Sequence, residues 1–233
     1  MPETLTLYTA KLCPYAQRVE IALAETKLPF TRYEIDLGNK PDWFTPKVNA
    51  AGKIPAVAYG GPIVPPESPS PESQKIAESL VLLEFIADIS GGALLPKDPV
   101  LRARVRLFID VVSNKITPAV IGFAFQGKPV DDLWTAIEAI QPLILGKYAV
   151  GDEFTIADAA LIPFIARGKI VLKYDIGKFE VGVGLKAYEI LQTDPRFEKF
   201  RRYIADVEAR DSFKNTFDEE YLKEWYTTRF ARN

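Results

Sequence analysis

The chemistry open to this chain is concentrated in one cysteine. Cys13 is the only cysteine of 233 residues and sits in Lys11-Leu12-Cys13-Pro14-Tyr15-Ala16-Gln17-Arg18. Upstream, Leu5 and Leu7 alternate with Thr6 and Tyr8 as in a short strand. Downstream, Tyr15, Val19, Ala22 and Leu23 recur on one helical face. Pro14 suits the first helical turn, where its missing N–H costs nothing. Cys13 is therefore expected at the N-terminus of a helix, where unpaired amides and the positive dipole end stabilise an anion. A thiolate so placed has a lowered pKa and attacks as a nucleophile near neutral pH. The competing reading is a small buried hydrophobe, the usual fate of a lone cysteine.

The chain contains no histidine, which excludes Cys–His and Ser–His–Asp catalysis. Ala16 stands where a second cysteine would complete C-x-x-C, so no dithiol cycle can run within the motif. Any disulfide of Cys13 must form with an external thiol. Metal catalysis is not expected from one thiol and no imidazole, an all-carboxylate site aside.

The elements that position Cys13 follow from pattern. A helix to about residue 26 leads to a second strand over 31–37, where Arg32, Glu34 and Asp36 alternate with Thr31, Tyr33 and Ile35. A turn through Gly38-Asn39-Lys40-Pro41 precedes a short helical segment. A third strand follows near 51–59, with Ile54-Pro55 as a candidate cis bond. Residues 60–73 hold five prolines in fourteen positions and read as a surface loop, with Ile63 and Val64 as a brief strand at most. A helix is expected from Gln74, with Ile76, Leu80, Leu83 and Ala87 on its stripe. Beyond the glycines and prolines of 91–99 every element reads as helical. Asp98-Pro99 caps one helix, and Thr117-Pro118 should kink or break it. Thr155-Ile156-Ala157-Asp158 resembles a capping box ahead of an apolar run that Pro163 interrupts. The aromatic spacing of four from Phe213 to Trp225 predicts a packed tail helix. The expected architecture is α/β plus all-α: a thioredoxin-like domain (1–90), a linker (91–98) and an all-helical domain (99–233).

Composition narrows the class. With 48% hydrophobic and 26% charged residues this is an ordinary globular composition, and a net charge of −2 gives no basic surface for nucleic acid or anionic membrane. No apolar run reads as a membrane span, and the first residues lack the pattern of a signal peptide. A lone thiol suits a reducing, cytoplasmic setting.

Taken together, the motifs resemble the cytosolic glutathione transferases, and within them the omega class. The resemblance rests on Cys13-Pro14-Tyr15-Ala16-Gln17-Arg18, Asn39-Lys40-Pro41-Asp42-Trp43, Gly52-Lys53-Ile54-Pro55, Glu78-Ser79, Leu94-Leu95-Pro96 and Phe154-Thr155-Ile156-Ala157-Asp158, in that order over nearly the whole length. It implies that Cys13 is the nucleophile forming a mixed disulfide with glutathione. Ile54 would pair its backbone with the cysteinyl part, and Pro55 would be the cis proline. Glu78 and Ser79 would bind the γ-glutamyl end, and Lys40 the glycyl carboxylate. It implies a homodimer, and no metal. For the hydrophobic second-substrate pocket the candidates are Leu12, Phe123, Phe125, Tyr174 and Trp225, each equally explained by core packing. The implied activity is glutathione-dependent thiol transfer, with dehydroascorbate and glutathionyl-ketone reduction alongside. The alternatives are a ligandin-type protein that binds hydrophobic aromatic compounds with little turnover, and a structural or regulatory subunit. The proline-rich loop departs from the family's tight hairpin and leaves two uses open, reshaping a groove edge or a dimer contact.

Overall fold

Strand β1 (Leu5–Thr9) is the centre of the N-terminal sheet, with Leu7 and Tyr8 fully buried on its two faces. It pairs in parallel with β2 (Thr31–Glu34) and antiparallel with β3 (Ala56–Tyr59), which pairs antiparallel with β4 (Gln74–Ala77). The strand order is β2-β1-β3-β4. These coordinates come from a computed structural model and describe residues 3–231. They divide into two units, Met1–Leu94 and Leu95–Asn233.

Helix α1 (Pro14–Thr26) is the crossover between β1 and β2, and it packs against α3 (Ser79–Ile89). On the other face Tyr8, Ala56 and Ala58 bury Phe44 and Val48, from and just after the one-turn helix α2 (Phe44–Lys47). Edge-on contacts of Tyr8 with Tyr33, Trp43 and Phe44, centroids 5.9–6.1 Å apart, tie this layer together. The result is the thioredoxin-like layout expected.

Three local expectations are corrected here. Gln74–Ala77 is a strand, not the start of a helix, because Val57 and Ile76 pair across the β3–β4 ladder. Tyr15 is 39% exposed and does not share the buried face of Val19, Ala22 and Leu23. Ile63 and Val64 form no strand; Ile63 is fully outward-facing. The proline-rich loop is nonetheless tied down. Tyr8 Oη donates to the Pro66 carbonyl at 2.8 Å, and Lys75 Nζ donates to the Ser70 and Ser73 carbonyls at 2.6 and 2.8 Å.

The second unit is wholly helical. α4 (Pro99–Val111) starts at Asp98, whose carboxylate accepts from the Val100 and Leu101 amides. The chain continues through a π turn (Val112–Ile116) into α5 (Thr117–Gln126), so Thr117-Pro118 does not break the helix. The wider turn falls where Pro118 cannot donate a backbone bond. By length and apolar content the run Pro99–Gln126 would pass as a membrane span, contrary to the sequence reading, but half of it is buried inside the fold as in a core helix. α6 (Asp131–Ile140) leads to the central α7 (Ile156–Lys173), buried on almost every side and unbroken by Pro163. Around α7 pack α8 (Val183–Thr193), α9 (Glu198–Glu208) and, after the one-turn α10 (Asp211–Lys214), α11 (Glu219–Arg229). The tail is thus two short helices rather than one, because Asp218 caps a new helix by accepting from the Tyr221 amide.

The Thr155/Asp158 box is complete. Asp158 is fully buried and accepts from the Thr155 amide at 2.8 Å, the Ala149 amide at 2.8 Å and Tyr203 Oη at 2.9 Å. Burial raises its pKa while these donors act the other way.

Candidate active site

Cys13 is the N-cap of α1, with extended backbone angles (φ −83°, ψ 117°) and Pro14 at the first helical position. Its amide donates to the Ala10 carbonyl at 2.9 Å and its carbonyl accepts from the Gln17 amide at 3.1 Å, so the turn from β1 into α1 is fixed on both sides. The residue is half-buried. The positive end of α1 therefore acts directly on the sulfur's neighbourhood.

The strand register brings the other candidates to the same end of the sheet. Tyr8 pairs with Ala56, and Ala56 with Ala77. Beyond that row lie the residues after β1, those before β3 and those after β4: Cys13, Ile54-Pro55 and Glu78-Ser79 respectively. The Ile54-Pro55 bond is cis. Lys40 joins this end, with Nζ donating to the Gly52 carbonyl at 2.9 Å. Residues 60–73 leave and rejoin the sheet at its opposite end.

Ser79 is buried and opens α3; Glu78 before it is exposed and has φ +70°, an uncommon conformation for a residue with a side chain. Arg18, five residues past Cys13, is only 2% exposed and donates from Nη1 to Ser79 Oγ at 3.1 Å. Its guanidinium carbon lies 5.4 Å from the Tyr15 ring centroid. Burial pulls its pKa down to about 10, opposed by the Tyr15 phenol and the Cys13 thiol. It stays protonated at neutral pH. The sequence showed Arg18 within the motif but gave it no role. A cation on the buried face of α1 was the available signal.

The pocket candidates separate. Leu12 adjoins Cys13 in the first unit. In the second unit Phe125 stacks on Phe230 at 5.2 Å and tilts against Tyr226 at 5.7 Å, while Trp225 meets Tyr226 edge-on at 5.4 Å. Tyr174 donates to Glu219 at the start of α11, with the ammonium groups of Lys173 and Lys223 within 5 Å of its ring centroid. Phe123 does not join them: it is buried and stacks on Phe179 at 4.6 Å. Tyr226 and Phe230 belong to this cluster and were not singled out from the sequence. Among the described residues no group of three or more Cys, Asp or Glu side chains is placed to hold a metal.

Comparison with known proteins agrees with this geometry. The family model for the glutathione S-transferase N-terminal domain matches residues 12–89. Glutathione S-transferase L1 of Arabidopsis thaliana is 30% identical over 188 residues, 78% of this chain and 73% of the relative. Glutathione transferase Omega 1C from Trametes versicolor is 52% identical with a TM-score of 0.95, over 99% of this chain and 98% of that one. Omega 2S from the same organism, solved in complex with 2,4-dihydroxybenzophenone, is 37% identical with a TM-score of 0.91, over the full length of both chains. A thioredoxin-like sheet with a cysteine capping its first helix, a helical second unit and these likenesses together make the chain a glutathione transferase of omega-like type.

Proposed function

We propose that the protein is a glutathione-dependent thiol transferase acting through Cys13. The observation that carries the reading is Cys13 itself: a half-buried thiol at the N-cap of α1, with no histidine and no second cysteine in the chain. The Cys13 thiolate attacks the glutathionyl sulfur of a mixed disulfide R–S–SG. The RS–SG disulfide bond breaks, RS⁻ leaves and takes up a proton, and the Cys13–glutathione mixed disulfide forms. A glutathione thiolate then attacks that disulfide, which regenerates the Cys13 thiolate and releases oxidised glutathione. Each turnover reduces one substrate disulfide and consumes one reduced glutathione, the other half of the oxidised glutathione being the one the substrate carried.

The groups at this end of the sheet suit the tripeptide. Ser79 and the first amides of α3 fit the γ-glutamyl carboxylate, Glu78 its ammonium, and Lys40 the glycyl carboxylate. Ile54, before the cis proline, offers backbone to the cysteinyl part. The same nucleophile suits dehydroascorbate and glutathionyl-ketone reduction. The reading includes a homodimer in a cytoplasmic setting, as the family resemblance implies. Conjugation to electrophiles should be weak, because it needs a hydroxyl to stabilise the glutathione thiolate and a reactive cysteine captures glutathione instead. Cys13→Ser is expected to lose at least 100-fold of disulfide-reducing turnover on a glutathionylated small thiol and to gain conjugating activity. Retained turnover in the pure variant contradicts the mechanism.

A second reading, carriage of hydrophobic aromatic compounds, is favoured by the cluster of Phe125, Trp225, Tyr226 and Phe230 and by the benzophenone bound to Omega 2S. Tight binding of such a ligand with no turnover of any glutathione adduct would put it first.

A further inference from the structure

We propose that Arg18 is the positioning residue of the glutathione site, holding the Ser79 hydroxyl so that its proton points at the ligand's carboxylate. The assignment rests on the glutathione reading above. A serine hydroxyl has one proton to donate and lone pairs to accept with. Arg18 Nη1, 3.1 Å from Ser79 Oγ, occupies a lone pair. The hydroxyl proton is then directed away from the guanidinium. Ser79 is the first residue of α3, so that proton converges with the amides of the first turn, which suit a carboxylate. Accepting from a cation also polarises the hydroxyl and strengthens it as a donor.

Arg18 is set for this role by its surroundings. At 2% exposure the guanidinium is locked between α1 and α3 rather than moving in solvent. The Tyr15 ring covers it at 5.4 Å. Glu20, a buried carboxylate on the same helix, accepts from Thr9 Oγ1 at 2.9 Å and from Arg32 Nε at 2.8 Å. The Arg18 charge and Cys13 also interact: burial lowers the Arg18 pKa and the Cys13 thiol opposes that fall. One buried cation thus stands behind two contacts of the bound tripeptide, its γ-glutamyl carboxylate through Ser79 and its central sulfur through Cys13.

The test is a double-mutant cycle with S-methylglutathione, which cannot form a disulfide. Binding is measured by titration calorimetry for wild type, Arg18→Met, Ser79→Ala and the double variant. In parallel, Cys13 is alkylated with iodoacetamide at pH 7. Arg18→Met is expected to weaken S-methylglutathione about tenfold, the range of one hydrogen bond to a charged group. In the Ser79→Ala background the same change should cost less than about twofold. Alkylation should slow about tenfold in Arg18→Met, and Arg18→Lys should restore it to within about twofold by returning the charge. Wild-type affinity in Arg18→Met, or the same tenfold loss with and without Ser79, overturns the positioning role. If Arg18→Met does not fold, Arg18→Lys runs through the same cycle, and a loss of affinity independent of Ser79 again overturns it. No binding of S-methylglutathione to wild type refutes the glutathione reading itself, and the Arg18 role with it.

Discussion

Replacing Asp158 by alanine removes the acceptor at the centre of the helical unit. Four buried donors depend on it: the Ala149 amide, the Thr155 amide and the Tyr203 hydroxyl at 2.8–2.9 Å, and the Thr155 hydroxyl at 3.1 Å. A buried donor left without an acceptor costs about 1–3 kcal/mol. Relief from burying a carboxylate offsets part of the sum, so Asp158→Ala should destabilise by about 3–4 kcal/mol. Asp158→Asn keeps one oxygen for Ala149 and Tyr203 but turns an NH₂ toward the Thr155 amide, which loses its acceptor. Its cost should be about 1–2 kcal/mol. Thermal unfolding followed by circular dichroism reads these as Tm losses of about 10 °C and about 4 °C. The pH dependence has a definite sign. Burial raises the Asp158 pKa above its ordinary 3.8, so the native state keeps this proton longer than the unfolded chain. Stability from this group therefore falls as pH rises from the ordinary to the raised value, and the gap to Asp158→Asn narrows over that window. An alanine variant within about 1 kcal/mol of wild type, or an asparagine variant worse than alanine, would refute the reasoning.

Two further outcomes concern the first unit. The Tyr8 phenol is pushed up to about 12 by burial and then by Glu67 and Tyr33, so between pH 10 and 12 the unfolded chain loses a proton that the native state keeps. The wild type should lose about 2 kcal/mol over that range relative to Tyr8→Phe in urea titrations; parallel curves would remove the raised Tyr8 pKa from the account. Glu78 holds φ +70°, where a side chain costs about 1 kcal/mol. Glu78→Gly should raise stability by about that much while weakening glutathione about tenfold, and a variant that gains stability without losing affinity would deny Glu78 a binding role.

How far the sequence could be read depended on whether the signal was local. Cys13-Pro14 announces a helix start through φ and a missing N–H, and Asp98-Pro99 does the same; both stand at N-caps in the structure. The strand Gln74–Ala77 was missed because four residues of mixed polarity become a strand only beside β3. The positive φ of Glu78, which separates β4 from α3, leaves no trace in a glutamate. Pro163 was expected to interrupt the last turns of its helix, which instead runs unbroken to Lys173 because burial on all sides outweighs one lost backbone bond. The break in the tail was legible and overlooked: Asp218-Glu219-Glu220 is an N-cap followed by acidic first-turn residues. Within the site, the candidates gather at one end of the sheet only because β1, β3 and β4 are in register there. Arg18 could not be connected with Ser79, 61 residues away, until α1 and α3 were seen packed together.

The central claim is that Cys13 takes glutathione into a covalent bond. The intact mass of the purified chain after exposure to oxidised glutathione tests it directly, with Cys13→Ser alongside. One added glutathionyl group, removed by reduced glutathione and absent from the variant, is the result predicted. A wild-type chain that gains no mass, while its thiol alkylates no faster than an ordinary exposed cysteine, would contradict it and leave aromatic-ligand carriage as the better reading.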